Sequence, residues 1–291
     1  MGTYDNFKLL VQNTRTQNHD LVSERYKRIT RRLNLDFRGL DSTSIYSRYV
    51  GSYGRGTAIK GFSDVDMLIE LPYATYARYN NYLGNGQSAL LQEVRSSIKK
   101  TYVNTDIGGD GQVIVVNFSD GMMFEVVPAF KNKGGESYTY PDSNDGGSWK
   151  VTYPILEINA INELNNQYNK NAKKLVRIMK AWRNQNNVPI SGMLLETLVM
   201  NFLDEYENSD KSYTFYDWMT RDFLKYLSER NQEQTFWKAR GSGAKVYRKG
   251  KFEYKAKQGY LKAVEAIGDD EKYPSIAYKT WREIFGTYYP R

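Results

Sequence analysis

Residues 51–66 read GSYGRGTAIKGFSDVD, and the apolar run Met67-Leu68-Ile69-Glu70-Leu71 follows directly. Aspartate is depleted from strands, yet Asp64 and Asp66 lead straight into one. In an extended chain residues i and i+2 project to the same side, so the two carboxylates point together and Val65 points away. Like charges held that close raise each other's pKa, and a divalent cation relieves the repulsion. Mg²⁺ binds through one or two carboxylates plus substrate phosphates. The preceding Gly51-Ser52-Tyr53-Gly54-Arg55-Gly56 stretch offers backbone N–H groups and a hydroxyl to such phosphates. An isolated Asp-x-Asp is more often a solvated turn. Here the glycine turn, the spacing and the following strand occur together, and the combination favours a metal–phosphate site.

A further carboxylate lies downstream. Residues 113–130 read VIVVNFSDGMMFEVVPAF. The β-branched and aromatic runs 113–118 and 124–127 flank Ser119-Asp120-Gly121, which predicts a hairpin. Glu125 falls inside the second strand, where an unpaired buried carboxylate is costly. A place beside a metal accounts for it; an exposed position on an edge strand is the competing reading. Asp120 reads as a turn residue.

The composition narrows the chemistry. The 291 residues are 40% hydrophobic, enough for one large or two medium cores. With no cysteine, disulfides, thiolate metal sites and cysteine nucleophiles are excluded. His19 is the single histidine, and it reads as an exposed residue on a polar helix. Carboxylates are therefore the default catalytic groups. The net charge of +8 favours polyanionic ligands such as nucleotides or nucleic acid. The N-terminus has no secretory h-region, and no apolar run approaches the ~20 residues of a membrane helix. The expectation is a chain with no membrane span, acting as a cytoplasmic monomer.

Helical periodicity predicts one charged amphipathic helix over residues 5–38 and another over 87–101. Residues 131–150, with Gly134, Gly135, Gly146 and Gly147, read as a flexible loop and lobe boundary. Beyond Pro154 helices are expected at 157–186, 191–207, 214–231, 257–267 and 276–286. The basic, glycine-rich segment 238–245 reads as a solvated loop. A mixed α/β first half and a helical second half suggest two lobes with a ligand cleft between them. In the helix over 169–186, Leu175, Ile178, Met179 and Trp182 share one face. Lys170, Lys173, Arg177 and Lys180 share the opposite one, which on pattern alone is a solvated basic side.

The run Gly51-Ser52…Arg55-Gly56-Thr57…Ser63-Asp64-Val65-Asp66 is similar to the active-site signature of the DNA polymerase β-like nucleotidyltransferases. The fuller form GSYGRGT-x-I-x-G-x-SDVD resembles the bacterial cGAS/DncV-like nucleotidyltransferases, or CD-NTases. This resemblance implies an α+β fold: a polymerase β-like nucleotidyltransferase core, a mixed sheet flanked by helices, with a C-terminal helical lobe and the active site in the cleft. The corresponding division is an N-terminal helix packing across the lobes (1–45), a catalytic core (46–152) and a helical nucleotide-binding lobe (153–291).

The resemblance also assigns residues. Glu125-Val126-Val127-Pro128-Ala129 is similar to the family's "DVVPA" strand, which makes Asp64, Asp66 and Glu125 the metal-holding and catalytic acids. They would hold two Mg²⁺ ions, with Mn²⁺ as a substitute. Gly51, Ser52 and Arg55 would bind substrate. Arg177-Ile178-Met179-Lys180-Ala181-Trp182 resembles the family's RxxKxW helix, so Lys180 would reach the nucleotide triphosphate. Ser191 matches a family serine that touches phosphate, although Gly192 and Met193 depart from the Ser-aromatic pattern after it.

The implied function is synthesis of a cyclic di- or trinucleotide second messenger in anti-phage (CBASS) signalling. Its substrates would be ATP, GTP or pyrimidine nucleoside triphosphates, and an activating ligand or regulatory protein would control it. Two other readings stay open: a nucleotidyltransferase that modifies RNA or another macromolecule, and a non-catalytic RNA-binding protein. The paired acids argue against the last, because without a cation they repel phosphate.

Overall fold

Alternating apolar residues fold the first half into a sheet, and helical periodicity folds the second half into a bundle. A computed structural model describes residues 2–61 and 64–290, so Ser63 of the signature lies outside the described residues. The first elements are α1 (Thr3–Asn13), α2 (His19–Arg38), β1 (Ser47–Tyr49), α3 (Gly51–Gly54) and β2 (Val65–Glu70). Next come α4 (Tyr73–Asn80), α5 (Gly86–Lys99), β3 (Asp106–Asp110), β4 (Val113–Asn117), β5 (Met123–Lys131), β6 (Tyr138–Asp142) and β7 (Ser148–Thr152). The helical part holds α6 (Pro154–Gln167), α7 (Asn171–Gln185), α8 (Gly192–Glu205) and α9 (Tyr216–Ser228). It closes with β8 (Phe236–Lys238), β9 (Lys245–Tyr247), α10 (Glu253–Asp269) and α11 (Pro274–Phe285).

The chain divides into two compact units. The sheet unit is built from residues 17–55 and 63–158, the helical unit from 1–16, 56–62 and 159–291. The sheet runs β1-β2-β5-β4-β3, with β2 and β5 parallel and the other pairs antiparallel; β6 and β7 extend it along the end of β5. Side chains on alternate residues divide the two faces. Val65, Met67 and Ile69 of β2, with Phe124 and Val126 of β5, pack against Ile29 and Leu33 of α2 and Leu90 and Val94 of α5. Asp66 and Glu125 therefore sit on the opposite face. In the helical unit α7 and α8 are the buried centre, with Leu175, Met179, Trp182, Leu194 and Leu198 in the core. Replacing one of these leucines by alanine costs about 2–5 kcal/mol.

Three expectations are corrected. The single helix over 5–38 is two helices, broken at Asn18, which takes a left-handed φ of 61°. The two fall in different units, α1 in the helical and α2 in the sheet unit. The helix over 157–186 is likewise two, broken where Asn169 and Lys170 have φ of 47° and 62°. The loop over 131–150 contains the β6–β7 hairpin, with Tyr138 fully buried.

Candidate active site

The site forms where β1 turns back into β2. Val50 donates its backbone N–H to the carbonyl of Asp66 at 3.0 Å, and the chain then enters the one-turn helix α3. Gly51 has φ of 55°, a backbone conformation that favours glycine. A Cβ there would also overlap the carboxyl group of Asp66. The glycine thus lets the turn lie directly on the acid. The Ser52 backbone donates a hydrogen bond to the same carboxylate.

Asp66 of β2 and Glu125 of β5 meet across the sheet. Asp66 and Glu125 are direct partners in the parallel register, and each carboxyl acts on the other's protonation. Burial pushes the Glu125 carboxyl up to about 7, with the negative charges of Asp66 and Asp64 adding to the effect. Burial likewise raises Asp66, against the effect of Glu125, the positive charge of Arg55 and the Ser52 N–H. Asp64 is raised by burial and held back by its own backbone.

Among the described residues no three His, Cys, Asp or Glu side chains stand with converged metal-donor spacing. The donor chemistry fits a hard divalent cation nonetheless. The groups are all carboxylate oxygens, and a cation would relieve the repulsion between the Asp66 and Glu125 charges.

Arg55 is 8% exposed and pairs with Glu157 at 3.4 Å. It borders a cavity of about 240 Å³ that also touches Gly51. Leu68, Val113, Val127 and Tyr140 give this cavity apolar walls, and Gln112 and Thr152 add polar groups. The Gln112 amide donates to Asp142 at 3.0 Å. Asp142 is held well below the usual carboxylate range, about 2, chiefly by its hydrogen bond from Lys150.

Gly51, Ser52, Arg55, Asp64, Asp66 and Glu125 thus belong to the sheet unit, while Lys180 and Ser191 belong to the helical unit. Lys180 is 3% exposed; its Nζ lies 2.8 Å from Glu196 Oε1 and donates to the carbonyl of Thr57 at 3.1 Å. The Glu196 carboxylate also accepts from the Thr57 hydroxyl at 2.7 Å. Ser191 caps α8, accepting from the Leu194 N–H at 3.1 Å. Sequence reasoning missed Glu157 and Glu196. Glu196 carried a signal, since a carboxylate inside Leu194-Leu195-Glu196-Thr197-Leu198-Val199 must find a buried partner. Glu157 carried none.

Comparison with known proteins places this geometry. The Second Messenger Oligonucleotide or Dinucleotide Synthetase (SMODS) domain model matches residues 1–165. A probable cyclic nucleotide synthase of Bacillus cereus (strain VD146) is 25% identical over 206 residues, 61% of this chain and 60% of that protein. The CBASS oligonucleotide cyclase CdnC of Escherichia coli (strain KTE188) is 24% identical over 183 residues, 62% of this chain and 56% of its own length. The chain therefore spans less than two thirds of the curated relatives it matches.

Among solved structures, E. coli MS115-1 CdnC with ATP superposes with a TM-score of 0.70 at 15% identity, covering 99% of both chains. Vibrio cholerae DncV, a cyclic AMP-GMP synthase in complex with a linear intermediate, gives 0.67 at 16% identity, covering 84% of this chain and 70% of that one. These likenesses establish the fold: a nucleotidyltransferase mixed sheet flanked by helices. With the family model spanning more than half of its residues, the chain belongs to the SMODS family, the bacterial cGAS/DncV-like nucleotidyltransferases.

Proposed function

We propose that this chain is a metal-dependent nucleotidyltransferase that joins nucleoside triphosphates into a cyclic di- or trinucleotide. The observation that carries the reading is the direct pairing of Asp66 with Glu125 across β2 and β5, with the Gly51 turn seated on Asp66. Family membership and the names of the relatives support the same reading.

Asp64, Asp66 and Glu125 would hold two Mg²⁺ ions, which supply neutralisation of the triphosphate and acidification of the acceptor hydroxyl. A ribose hydroxyl oxygen attacks the α-phosphorus of a second nucleotide, the bond to the β-phosphate oxygen breaks, and pyrophosphate leaves. Glu125 takes the hydroxyl proton. Ser52 and the backbone of the Gly51 turn orient the donor phosphates. Arg55 steadies the acid cluster through its charge on Asp66, and Glu157 fixes the guanidinium. The apolar cavity beside Gly51 suits a flat base. Most of the rate enhancement comes from positioning and charge stabilisation. A second transfer, with the linear product re-entering end for end, closes the ring.

CdnC has been solved in complex with HORMA-deltaN, and control of this chain by a regulatory protein belongs to the same reading. The test is incubation with all four nucleoside triphosphates and Mg²⁺, with products read by mass spectrometry. A cyclic oligonucleotide that disappears with Asp66→Asn supports the proposal. Label that enters only added RNA, or no pyrophosphate release under any metal or activator condition, overturns it.

A further inference from the structure

The helical unit holds a second cavity, of about 280 Å³, whose walls come from α1, the first turns of α7 and the 212–216 segment. Its charge is one-sided. Lys8 enters from α1, Arg15 from the turn that follows it and Lys174 from α7. None of the three forms an ion pair among the described residues. Asp210, the one acid in the flanking 209–213 turn, is exposed and lies 4.0 Å from Lys211. Two tyrosines line the wall: Lys8 Nζ stands 5.4 Å from the ring centre of Tyr213, and Lys174 Nζ stands 5.6 Å from that of Tyr216.

Arg177, further along α7, adds its charge to Lys174. Its Nη1 donates to the carbonyl of Gly56 at 2.9 Å, while its Nε is buried with no hydrogen-bond partner. A guanidinium N–H left unmatched away from water is costly. The cations also oppose one another. Burial pushes Arg177 down to about 10, with the charge of Arg15 adding to the effect. Lys174 is lowered by burial, then by Arg177 and Arg15. A basic helix face in water spreads its charges apart. Here Lys8, Arg15 and Lys174 line one concavity, with no carboxylate among its lining residues.

We infer that this cavity is an anion-binding site for a small phosphate-bearing ligand, a pyrophosphate or the polyphosphate tail of a free nucleotide. Lys8, Arg15 and Lys174 would donate charge-assisted hydrogen bonds to the phosphate oxygens. Arg177 would add its charge through Lys174, and the partly exposed Tyr213 (38%) would flank the ligand. The cavity lies at the small end of ligand-site sizes, which favours a compact anion over a nucleic-acid backbone. The site draws only on the helical unit, so it does not depend on the reading of Asp64, Asp66 and Glu125.

The experiment is calorimetric titration with inorganic pyrophosphate in metal-free, low-salt buffer. Native protein and Asp66→Asn are expected to bind it saturably and alike. Arg15→Glu and Lys174→Glu are expected to weaken binding by about tenfold or more, the value of one charge-assisted contact. Arg15→Lys and Lys174→Arg should retain most of it, and unchanged circular dichroism confirms the fold of every variant. Absence of saturable binding, binding indifferent to the charge reversals, or binding abolished by Asp66→Asn overturns the site. A duplex RNA that binds more tightly per phosphate, and is lost with the same reversals, overturns it in favour of a nucleic-acid surface.

Discussion

Lys180 Nζ stands 2.8 Å from Glu196 Oε1, and neither side chain is more than 4% exposed. The pair also clamps Thr57 through its carbonyl and hydroxyl. Breaking a buried pair by removing one partner is costly, because it strands the other charge. Lys180→Met is expected to lower stability by about 3–5 kcal/mol in urea denaturation. The double variant Lys180→Met/Glu196→Leu should recover much of that loss, since apolar replacement of both partners is often near neutral. A single variant as stable as the native protein would show that the pair contributes nothing.

Ser191 presents two roles that one substitution series separates. As the cap of α8 it accepts from Leu194, and Ser191→Ala should lower stability by about 1 kcal/mol. Ser191→Asp keeps the cap and adds a negative charge, so stability should return. If the hydroxyl also meets a triphosphate, the aspartate variant should raise the KM for nucleotide while leaving the melting temperature near native. Equal KM values for serine and aspartate forms would leave only the cap.

At Gly51 the φ of 55° and the contact with Asp66 act together. Gly51→Ala must push the turn off the acid. Misplacement of about 1 Å at a reacting centre costs on the order of 10²-fold in rate. Product formation should fall by that factor while the protein still melts cooperatively. An alanine variant with native turnover would mean that the turn is not part of the site.

Asp217, in the first turn of α9, supplies a pH dependence. Burial pushes its carboxyl up to about 6, and Oδ1 has no hydrogen-bond partner. The folded state therefore holds this proton more tightly than the unfolded chain does. The stability it contributes is complete below the unfolded value of 3.8 and is lost as pH rises through about 6. Asp217→Asn mimics the protonated form. Relative to native protein it should gain about 3 kcal/mol at pH 8 and little at pH 4. A difference between the two proteins that does not change with pH would refute this.

The acids were legible because their geometry is local. Asp64, Asp66 and Glu125 lie on or beside short, strongly patterned strands, and the period of two fixes their direction. Their side-by-side pairing across β2 and β5 required the parallel register, which no local pattern encodes. The helix breaks were hidden for a different reason. Asn18 and Asn169 carry the left-handed turns without glycine or proline, as asparagine can. In 131–150 the glycines obscured the strands they serve. Gly134, Gly135, Gly146 and Gly147 all have positive φ and form the turns before β6 and before β7. The alternation Tyr138-Thr139-Tyr140 and Trp149-Lys150-Val151 between them was the missed signal. The partners of Arg55 and Lys180 lie 102 and 16 residues away, and only tertiary packing identifies them.

The chain passes between the two units four times, after residues 16, 55, 62 and 158. Two of those passages fall within the signature itself. No single genetic crossover can therefore exchange one whole unit for that of a relative while leaving the other intact. A fusion joined at residue 158 would still carry a borrowed 56–62 segment, with Thr57 facing a foreign Lys180–Glu196 pair. Exchanging the helical unit intact requires carrying the 56–62 segment of the signature along with it.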